Sequence, residues 1–510
     1  MYLTQGLHRA LQRHPHKVAL QHLADGHERH WTFAEFAEQV GRQAAALQAR
    51  GVGAGDRVAL LAPNNDKLIT QLVACWWLGA VACPLNTRWS LPELRFAVAD
   101  CEARLLVADE SFEANAAALA DVVPAAHADA IAAEGARLAP IDDTRTGGDA
   151  LAAILYTGGT TGRSKGVMLS HANFWTASMT RGAELNNAPD SVSLLVAPLF
   201  HVAGLGRLIG QSIVGGTCVT MPQFRADAVL AAIERHGITD TIVVPTMLQA
   251  LLDAPGFDAA KLQSLNRIAF GAAPMPPDLL DRALAAWAHA EFFQAYGLTE
   301  TAGAVCINLP ANHRAEARAR GLLRSVGRAG LGAEIRVIDE QGRNVPRGQV
   351  GEIIVRGPMV TRGYWKLPEA SAQALQKAPN DGWFHTGDGG RMDDEGYLFI
   401  ADRLKDMVIT GGENVYPAEV EAALRSHPAV SEAAVIGLPD ARWGETVHAV
   451  VVLQPGADID PAAVAEVLQA WCRQQLAGYK CPRSVSVRDA MPLSAAGKVL
   501  KTTLRSEHMA

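Results

Sequence analysis

Apolar stretches of two lengths alternate along more than half of the chain, and this pattern predicts strands separated by helices. Thr32 and Glu35 have the spacing of a capping box, and apolar positions then recur with helical spacing to about Arg50. Short apolar runs such as residues 57–62 and 105–108 are typical of buried strands. Strands that alternate with helices over such a length predict largely parallel sheets covered by helices.

Three regions depart from this rhythm. Residues 114–139 are rich in alanine with little pattern and predict an irregular connection. From about residue 322, short alternating strands are joined by turns with glycine and proline, which predicts a small antiparallel sheet or barrel. Beyond the charged run 402–406, the pattern is typical of a separate small α+β domain.

The predicted fold class is therefore α/β, with a large N-terminal domain at residues 1–401 whose β-rich part spans about 322–401. Residues 402–406 are the predicted hinge, because they are charged rather than rich in glycine and serine. Residues 407–510 form the predicted small C-terminal domain.

Composition narrows the class of protein. The 510 residues are 49% hydrophobic and 19% charged, as in a globular chain with room for more than one core. A net charge of −7 argues against a nucleic-acid partner. No apolar run reaches the length of a membrane span, and residues 1–6 lack the features of a secretory signal. The seven cysteines are scattered without a C-x-x-C pair, so we expect reduced thiols and a cytoplasmic location.

A loop rich in glycine and threonine follows the apolar run 151–156. Residues 156–166 read Y-T-G-G-T-T-G-R-S-K-G. Glycine lets a backbone approach a ligand closely, and N–H groups, hydroxyls and a lysine are suited to phosphate oxygens. The pattern predicts a loop that binds the phosphates of a nucleotide.

Three other interpretations of this loop compete. It could be a surface turn without function. A P-loop needs glycine directly before the lysine and Ser or Thr after it, whereas Ser164 and Gly166 flank Lys165 here. Residues 162–166 also match G-x-S-x-G, which would make Ser164 the nucleophile of an α/β-type serine hydrolase. That motif places its serine directly after a strand, and Ser164 lies well past the apolar run.

Other polar segments carry groups that suit a nucleotide. Y-G-L-T-E-T at residues 296–301 offers an aromatic ring, hydroxyls and the carboxylate of Glu300 for a metal. T-G-D at residues 386–388 presents Asp388 in a tight turn, where it could hold two ribose hydroxyls or form an ordinary Asx-turn. Lys498 follows a flexible glycine near the C-terminus, where most lysines are surface charges.

Together these segments resemble the adenylate-forming superfamily, which contains acyl-CoA synthetases, aryl-CoA ligases, firefly luciferase and the adenylation domains of peptide synthetases. The phosphate loop, Y-G-L-T-E-T, T-G-D, D-R-L-K-D, G-G-E-N-V-Y-P and the terminal G-K occur in the family's order over nearly the whole chain. Bacterial fatty-acyl-CoA synthetases and feruloyl- or coumarate-type CoA ligases are the most similar members. The resemblance implies that ATP, Mg²⁺ and coenzyme A take part, and that an acyl-adenylate precedes an acyl-CoA thioester.

The resemblance also implies roles for individual residues. Lys498, Lys405, Thr299 and His201 match catalytic positions, with Lys405 at the hinge of a mobile C-terminal lid. Thr157 and Glu300 match the Mg²⁺ positions. The positions that match those binding ATP or CoA are Thr157, Gly158, Gly159, Thr160, Thr161, Gly162, Lys165, Gly271, Ala272, Ala273, Gln294, Ala295, Tyr296, Gly297, Thr299, Asp388, Arg403, Gly411, Gly412, Lys480 and Lys498.

Departures from the family pattern bear on activity and substrate. Gly158 replaces a serine of the loop, Ser164 replaces a proline, and Ile409 replaces the lysine of luciferase-like members. No Asp or Glu occurs in residues 198–206, where amino-acid-activating domains place a carboxylate, so we expect an acid with an uncharged tail.

These residues and the resemblance lead to four hypotheses about the activity. The first is an acid:CoA ligase acting on a medium- or long-chain fatty acid, and the alternative is a ligase for an aryl acid such as ferulate or coumarate. The Ser164 hydrolase, and a nucleotide-binding protein that has lost catalysis, remain as other classes. The expected partners are small molecules, and a homodimer is possible.

Overall fold

The alternation of strands and helices predicted from the sequence is present, and it builds two large sheets. The computed structural model describes residues 1–24, 27–157, 164–271, 275–403, 406–410, 413–440, 442–457, 459–460, 463–494 and 498–509. The strands are β1 (Val18–Ala24), β2 (His27–Thr32), β3 (Arg57–Leu61), β4 (Val81–Pro84), β5 (Ala103–Ala108), β6 (Ala125–His127), β7 (Leu151–Thr157), β8 (Lys165–Ser170), β9 (Val192–Leu195), β10 (Thr217–Thr220), β11 (Asp240–Val243), β12 (Arg267–Gly271), β13 (Glu291–Leu298), β14 (Gly303–Asn308), β15 (Arg328–Ala329), β16 (Glu334–Ile338), β17 (Gly351–Arg356), β18 (Phe384–Met392), β19 (Leu398–Arg403), β20 (Val408–Thr410), β21 (Glu413–Val415), β22 (Val430–Asp440), β23 (Gly444–Leu453) and β24 (Ser484–Val487).

Some of the helices between them begin after a residue whose side chain caps the first turn, such as Thr32, Asn65 and Ser170. The helices are α1 (Gln5–Arg13), α2 (Phe33–Ala49), α3 (Asp66–Leu78), α4 (Leu91–Asp100), α5 (Glu113–Ala118), α6 (Ala128–Gly135), α7 (His171–Glu184), α8 (Val202–Val214), α9 (Ala226–His236), α10 (Pro245–Leu252), α11 (Pro277–Ala286), α12 (Ala315–Ala319), α13 (Pro368–Leu375), α14 (Pro417–Arg425), α15 (Val464–Arg473) and α16 (Lys501–Met509). The capping box predicted at Thr32 is present, because its hydroxyl accepts from Glu35 N and the Glu35 carboxylate accepts from Thr32 N.

Within the described residues, the two large sheets are mostly parallel. One has the order β6-β5-β3-β4-β7-β8, and only β8 runs antiparallel to its neighbour. The other has the order β15-β14-β13-β12-β11-β9-β10-β1-β2, and its central strands from β13 to β1 are parallel. Parallel strands present their carboxyl ends at one edge of a sheet, which is where ligands bind in such folds.

The alanine-rich region 114–139 is not irregular, which corrects the prediction. It contains α5, β6 and α6, and β6 adds an edge strand parallel to β5. Alanine favours helix intrinsically, and Ile131 is fully buried on α6. Arg50 pairs with Glu134 at 2.8 Å, and this contact ties α2 to α6. Tertiary packing therefore supplied the order that the weak periodicity did not show.

The chain divides into two compact units. The first contains Met1–Ile335 and Val355–Phe384, and the second contains Arg336–Ile354 and His385–Ala510. Leu404 and Lys405, in the predicted hinge at 402–406, lie outside the described residues, so that hinge stays a prediction. No helix among the described residues is long and apolar enough to cross a membrane.

The C-terminal part of the second unit has a core of its own. The described strands form a sheet in the order β21-β20-β23-β22, and β24 pairs with β23 in parallel. Val420, Val435, Val447 and Leu468 come from different elements and are buried in one cluster. A separate four-stranded sheet has the order β16-β17-β18-β19, and β18 and β19 in it run antiparallel. The predicted fold class, with a β-rich part and a C-terminal α+β domain, is confirmed.

Candidate active site

The predicted phosphate loop connects two paired strands. Tyr156 pairs with Gly166 and Thr157 with Lys165 in the β7–β8 hairpin. Residues 158–163, with the predicted binding residues Gly158, Gly159, Thr160, Thr161 and Gly162, lie outside the described residues. The sequence analysis did not predict β8. Because β8 and not a helix follows Ser164, this serine is not at a strand-to-helix elbow, and the hydrolase alternative is not supported.

Each strand of the hairpin is hydrogen-bonded to a neighbouring part of the chain close to the loop. Tyr156 is buried, and its hydroxyl donates to Asp100 Oδ2 at 2.6 Å. Burial raises the pKa of Tyr156, so the phenol stays protonated and acts as a donor. On the other strand, Trp365 N donates to Gly166 O at 2.7 Å. These hydrogen bonds therefore fix the residues at the two ends of the loop.

Tyr364 connects the hairpin to the Y-G-L-T-E-T segment. The Lys165 ammonium lies 5.0 Å from the centre of the Tyr364 ring, within the range of a cation–π contact. The Tyr364 hydroxyl donates to Glu300 Oε1 at 3.0 Å, and Thr361 N donates to Glu300 O at 2.7 Å. An ammonium, a phenol and a carboxylate thus stand in one row beside the phosphate loop. Sequence reasoning missed Tyr364, since no local pattern links it to Glu300.

The Y-G-L-T-E-T segment leaves the carboxyl end of β13. A bulge separates Tyr296 from Gly297, and a Cβ at Gly297 would lie 1.9 Å from Gly303 O, so only glycine fits there. Thr299, Glu300 and Thr301 form one turn of 3₁₀ helix. The Thr301 hydroxyl donates to Gly303 O at 2.6 Å and closes that turn.

The neighbouring strand brings more of the predicted nucleotide residues to the same edge. Gly271, the last residue of β12, pairs with Ala295 on β13. A Cβ at Gly271 would lie 2.5 Å from Ala295 O, so the two backbones approach closely. Gln294, Ala295 and Tyr296 are half-buried. Ala272 and Ala273 lie outside the described residues.

His201 begins α8, and Asn64 orders the segment before it. Asn64 is buried, and its Nδ2 donates to Leu195 O at 3.1 Å and to Ala197 O at 2.8 Å. Its Oδ1 accepts from Leu199 N at 3.0 Å. The Asn64 side-chain amide thus satisfies backbone groups of the segment after β9, where sheet pairing stops. These bonds order the segment that leads into α8.

In the second unit, the T-G-D segment is held by Glu352. Glu352 Oε2 lies 2.8 Å from His385 Nδ1, and Oε1 accepts from Gly387 N at 3.3 Å. The Thr386 hydroxyl accepts from Asp388 N at 3.0 Å. Asp388 on β18 is the cross-strand partner of Arg403 on β19, so the two predicted ribose positions are adjacent. Glu352 is a second residue that the sequence analysis missed.

The other predicted residues of the second unit are dispersed. Lys498 is exposed and closes a tight loop through Ser494 N, which donates to Lys498 O at 2.7 Å. Lys480 pairs with both carboxylate oxygens of Glu419 at 2.8 Å, and this contact raises the pKa of Lys480. Gly411 and Gly412 connect β20 to β21 and lie outside the described residues.

An aromatic ring with two arginines close to it is a further group that no sequence motif predicted. The Trp443 ring has the Arg442 guanidinium 4.7 Å and the Arg483 guanidinium 4.5 Å from its centre. The backbone N–H groups of Trp443 and Arg442 donate to Asp440 and hold the pKa of its carboxyl below the usual range. Such a ring with flanking cations suits a phosphorylated ligand with a planar base.

Comparison with protein families decides the superfamily. The model of the AMP-binding enzyme family matches residues 7–365, and that of the AMP-binding enzyme C-terminal domain matches residues 419–498. The chain belongs to the AMP-binding enzyme family. The superfamily predicted from the motifs is therefore confirmed.

Characterised members of this AMP-binding family resemble the chain over nearly its whole length. A feruloyl-CoA synthase of Amycolatopsis sp. is 42% identical over 503 residues, which is 96% of each chain. The long-chain-fatty-acid–CoA ligase FadD13 of Mycobacterium tuberculosis is 36% identical and covers 94% of this chain and 93% of its own. ATP-bound MatB from Rhodopseudomonas palustris superposes with a TM-score of 0.89 at 35% identity, covering 100% of this chain and 99% of its own. The predicted enzyme class, an AMP-forming acid–thiol ligase, is confirmed by these relatives.

Proposed function

We propose that this AMP-binding enzyme is an ATP- and Mg²⁺-dependent carboxylic acid:CoA ligase. In the first step a carboxylate oxygen bonds to the α-phosphorus of ATP, the bond to the β-phosphate oxygen breaks, and pyrophosphate leaves. In the second step the sulfur of CoA bonds to the acyl carbon, the bond to AMP breaks, and the thiol proton is released. Both steps depend on positioning and on neutralising charge.

The observation that carries this proposal is the row of Lys165, Tyr364 and Glu300 beside the β7–β8 hairpin. Lys165 places a positive charge at the foot of the loop, where the triphosphate would lie. Tyr364 orients the Glu300 carboxylate through one of its oxygens. A row that pairs a cation for phosphate with a fixed carboxylate for metal suits a Mg-nucleotide better than a simple anion.

The residues present fit Mg²⁺. The Glu300 carboxylate and the Thr157 hydroxyl are hard oxygen donors, which is the donor type that Mg²⁺ prefers. Among the described residues, no group of three or more His, Cys, Asp or Glu side chains could hold a metal on its own. Protein sites that bind Mg²⁺ with one or two side chains rely on substrate phosphates for the rest. The metal would supply charge neutralisation for the phosphates.

The second unit offers groups for the remaining parts of both nucleotides. Asp388, held by the turn that Glu352 orders, is the candidate for the ribose hydroxyls of ATP. Lys498 is the candidate for the lysine that bridges the carboxylate and the α-phosphate. For CoA, we favour Trp443 with Arg442 and Arg483 over Lys480, because Lys480 is neutralised by Glu419.

For the acid, we propose an aryl acid of the ferulate or coumarate type as the first candidate and a fatty acid as the second. From the sequence alone, the fatty acid was the first hypothesis and the aryl acid the alternative. The change is supported by the 42% identity to a feruloyl-CoA synthase against 36% to a fatty-acid ligase, at similar coverage. The cytoplasmic location and the homodimer stay predictions.

The test is to incubate the protein with ATP, Mg²⁺, CoA and a panel of acids, and to measure AMP, pyrophosphate and thioester. We expect equal amounts of the three products with at least one aryl acid. A Glu300→Gln variant should lose pyrophosphate release, while the exposed control Glu340→Gln should keep it. ATP binding without AMP formation across the panel would contradict the ligase and favour the inactive alternative.

A further inference from the structure

Arg181 is an arginine on the inner face of α7. The helix buries Phe174, Ala177 and Ser178, and Arg181 follows these positions with helical spacing. A charged side chain on such a face is unusual, because burying a guanidinium removes its hydration. The position therefore needs either a structural partner or a ligand.

The guanidinium rests on a glycine surface of α8. Arg181 Nη2 donates to Gly206 O. A Cβ at Gly210 would lie 2.5 Å from Nη2, so the guanidinium can keep this position only while residue 210 is glycine. Arg181 Nε is buried and has no hydrogen-bond acceptor among the residues that the structure describes. The side chain thus has donor capacity that the fold does not use.

The neighbouring buried arginine shows what a structural role looks like. Arg207 forms an ion pair with Asp240, and its Nε donates to Ser193 Oγ at 2.9 Å. Within the described part of the chain, no carboxylate forms an ion pair with Arg181. Burial lowers the pKa of Arg181 to about 10, so the group is still charged at neutral pH. Arg207 is neutralised by the fold, whereas Arg181 is not.

Gly206 lies close both to this charge and to the turn that carries Glu300. A Cβ built on Gly206 would lie 3.7 Å from Arg181 Nη1 and 3.8 Å from Ala302 O. Ala302 directly follows the turn that carries Glu300. Arg181 is half-buried, so part of its surface stays accessible. The guanidinium and the residue after the Glu300 turn therefore both lie next to Gly206.

We propose that Arg181 binds an oxygen atom at the distal end of the acid substrate, so that the enzyme selects acids with a phenolic or second carboxylate oxygen over acids that end in a hydrocarbon. This inference rests on the proposed acid:CoA ligase activity. A distal oxygen accepts from Nη1, the guanidinium nitrogen next to Gly206, and supplies the charge partner that Arg181 lacks among the described residues. A methyl or phenyl end would leave a buried cation facing hydrocarbon, which is unfavourable. The expectation of an uncharged tail is thereby replaced by the expectation of a tail that carries an oxygen acceptor, either neutral or charged.

Matched pairs of acids test the proposal. The pairs are 4-coumarate with cinnamate, which differ by a phenolic hydroxyl, and octanedioate with octanoate, which differ by a terminal carboxylate. We expect kcat/KM for pyrophosphate release to be roughly ten- to a hundredfold higher for the oxygen-bearing acid in at least one pair, as for a hydrogen bond to a charged group. The pair that shows the preference identifies the source of the oxygen. Equal kcat/KM within both pairs would overturn the proposal.

Variants separate recognition from stability. Arg181→Met keeps the length of the side chain and should lower kcat/KM only for the preferred acid, while Arg181→Lys should restore part of it. If Arg181→Met keeps the preference of the wild type and only melts at a lower temperature, Arg181 is structural and the proposal is wrong. Loss of pyrophosphate release with every acid in the wild type would instead contradict the ligase activity itself.

Gly206→Ala keeps the proposal testable if Arg181→Met does not fold. The added methyl would make ordinary contacts at 3.7 and 3.8 Å, so the fold should tolerate it, but it enters the space beside Nη1. We expect a higher KM for the acid and an unchanged KM for ATP. The matched control is Gly182→Ala on α7, where a Cβ meets nothing within 4 Å. Equal KM values for the acid in the two variants would count against a ligand next to Arg181.

Discussion

Replacing Tyr364 with phenylalanine tests how the site orients its metal-binding carboxylate. The change removes one hydroxyl, which donates to Glu300 Oε1 at 3.0 Å, and it keeps the ring that lies 5.0 Å from the Lys165 ammonium. Tyr364 is only 9% exposed, so the ring stays packed in the variant. The substitution therefore isolates the hydrogen bond from the cation–π contact.

The magnitude follows from the kind of bond that is lost. A hydrogen bond to a charged group contributes about 1.5–3 kcal/mol. Glu300 is half-buried, so water can replace part of the interaction, and we expect a loss near the lower end of that range. This corresponds to roughly a tenfold effect on the use of Mg·ATP. Tyr364→Leu should cost about 0.5–1 kcal/mol more, because it also removes the ring beneath Lys165.

The assay is the initial rate of pyrophosphate release without CoA, measured across Mg²⁺ and ATP concentrations at a saturating acid concentration. Tyr364→Phe should raise the apparent KM for Mg·ATP and leave the KM for the acid unchanged. The exposed Tyr479 provides the control variant Tyr479→Phe, which should behave as the wild type. If Tyr364→Phe has the Mg·ATP dependence of the wild type, the hydroxyl does not orient Glu300 for catalysis and the reasoning is refuted.

Three further predictions concern the second unit and the pH dependence of stability. Glu352→Gln should weaken the T-G-D turn and raise the KM for ATP several-fold without changing the KM for the acid, and equal KM values for ATP would contradict this role. Lys498→Ala should abolish adenylate formation but keep thioester formation from a preformed acyl-adenylate, and equal loss in both assays would refute that assignment. Burial lowers the pKa of His448 from its ordinary value of 6.5 to about 4, so the unfolded chain binds the proton more readily. Stability should therefore fall as the pH drops from about 6.5 to 4, and the urea midpoint of His448→Gln should fall less over that range.

The predicted and observed elements agree where the signal is local. The capping box at Thr32 and the helix that follows it depend on neighbouring residues, and both are present as predicted. β8 was not predicted because the segment 165–170 is short and follows a glycine-rich loop. Its strand conformation depends on pairing with β7. The helices in region 114–139 were not predicted because alanine occurs on both their buried and their exposed faces. The sequence therefore shows no clear apolar periodicity there.

The amino-acid sequence and the tertiary structure determined different features of this protein. The sequence by itself determined the family and the order of its motifs, because glycines, hydroxyls and charges at fixed spacing are local features of a binding loop. Only the tertiary structure decided that Tyr364 contacts both Lys165 and Glu300 and that the Arg181 guanidinium lies next to Gly206. These partners are distant along the chain, and a contact made by folding leaves no periodic pattern in the residues that make it.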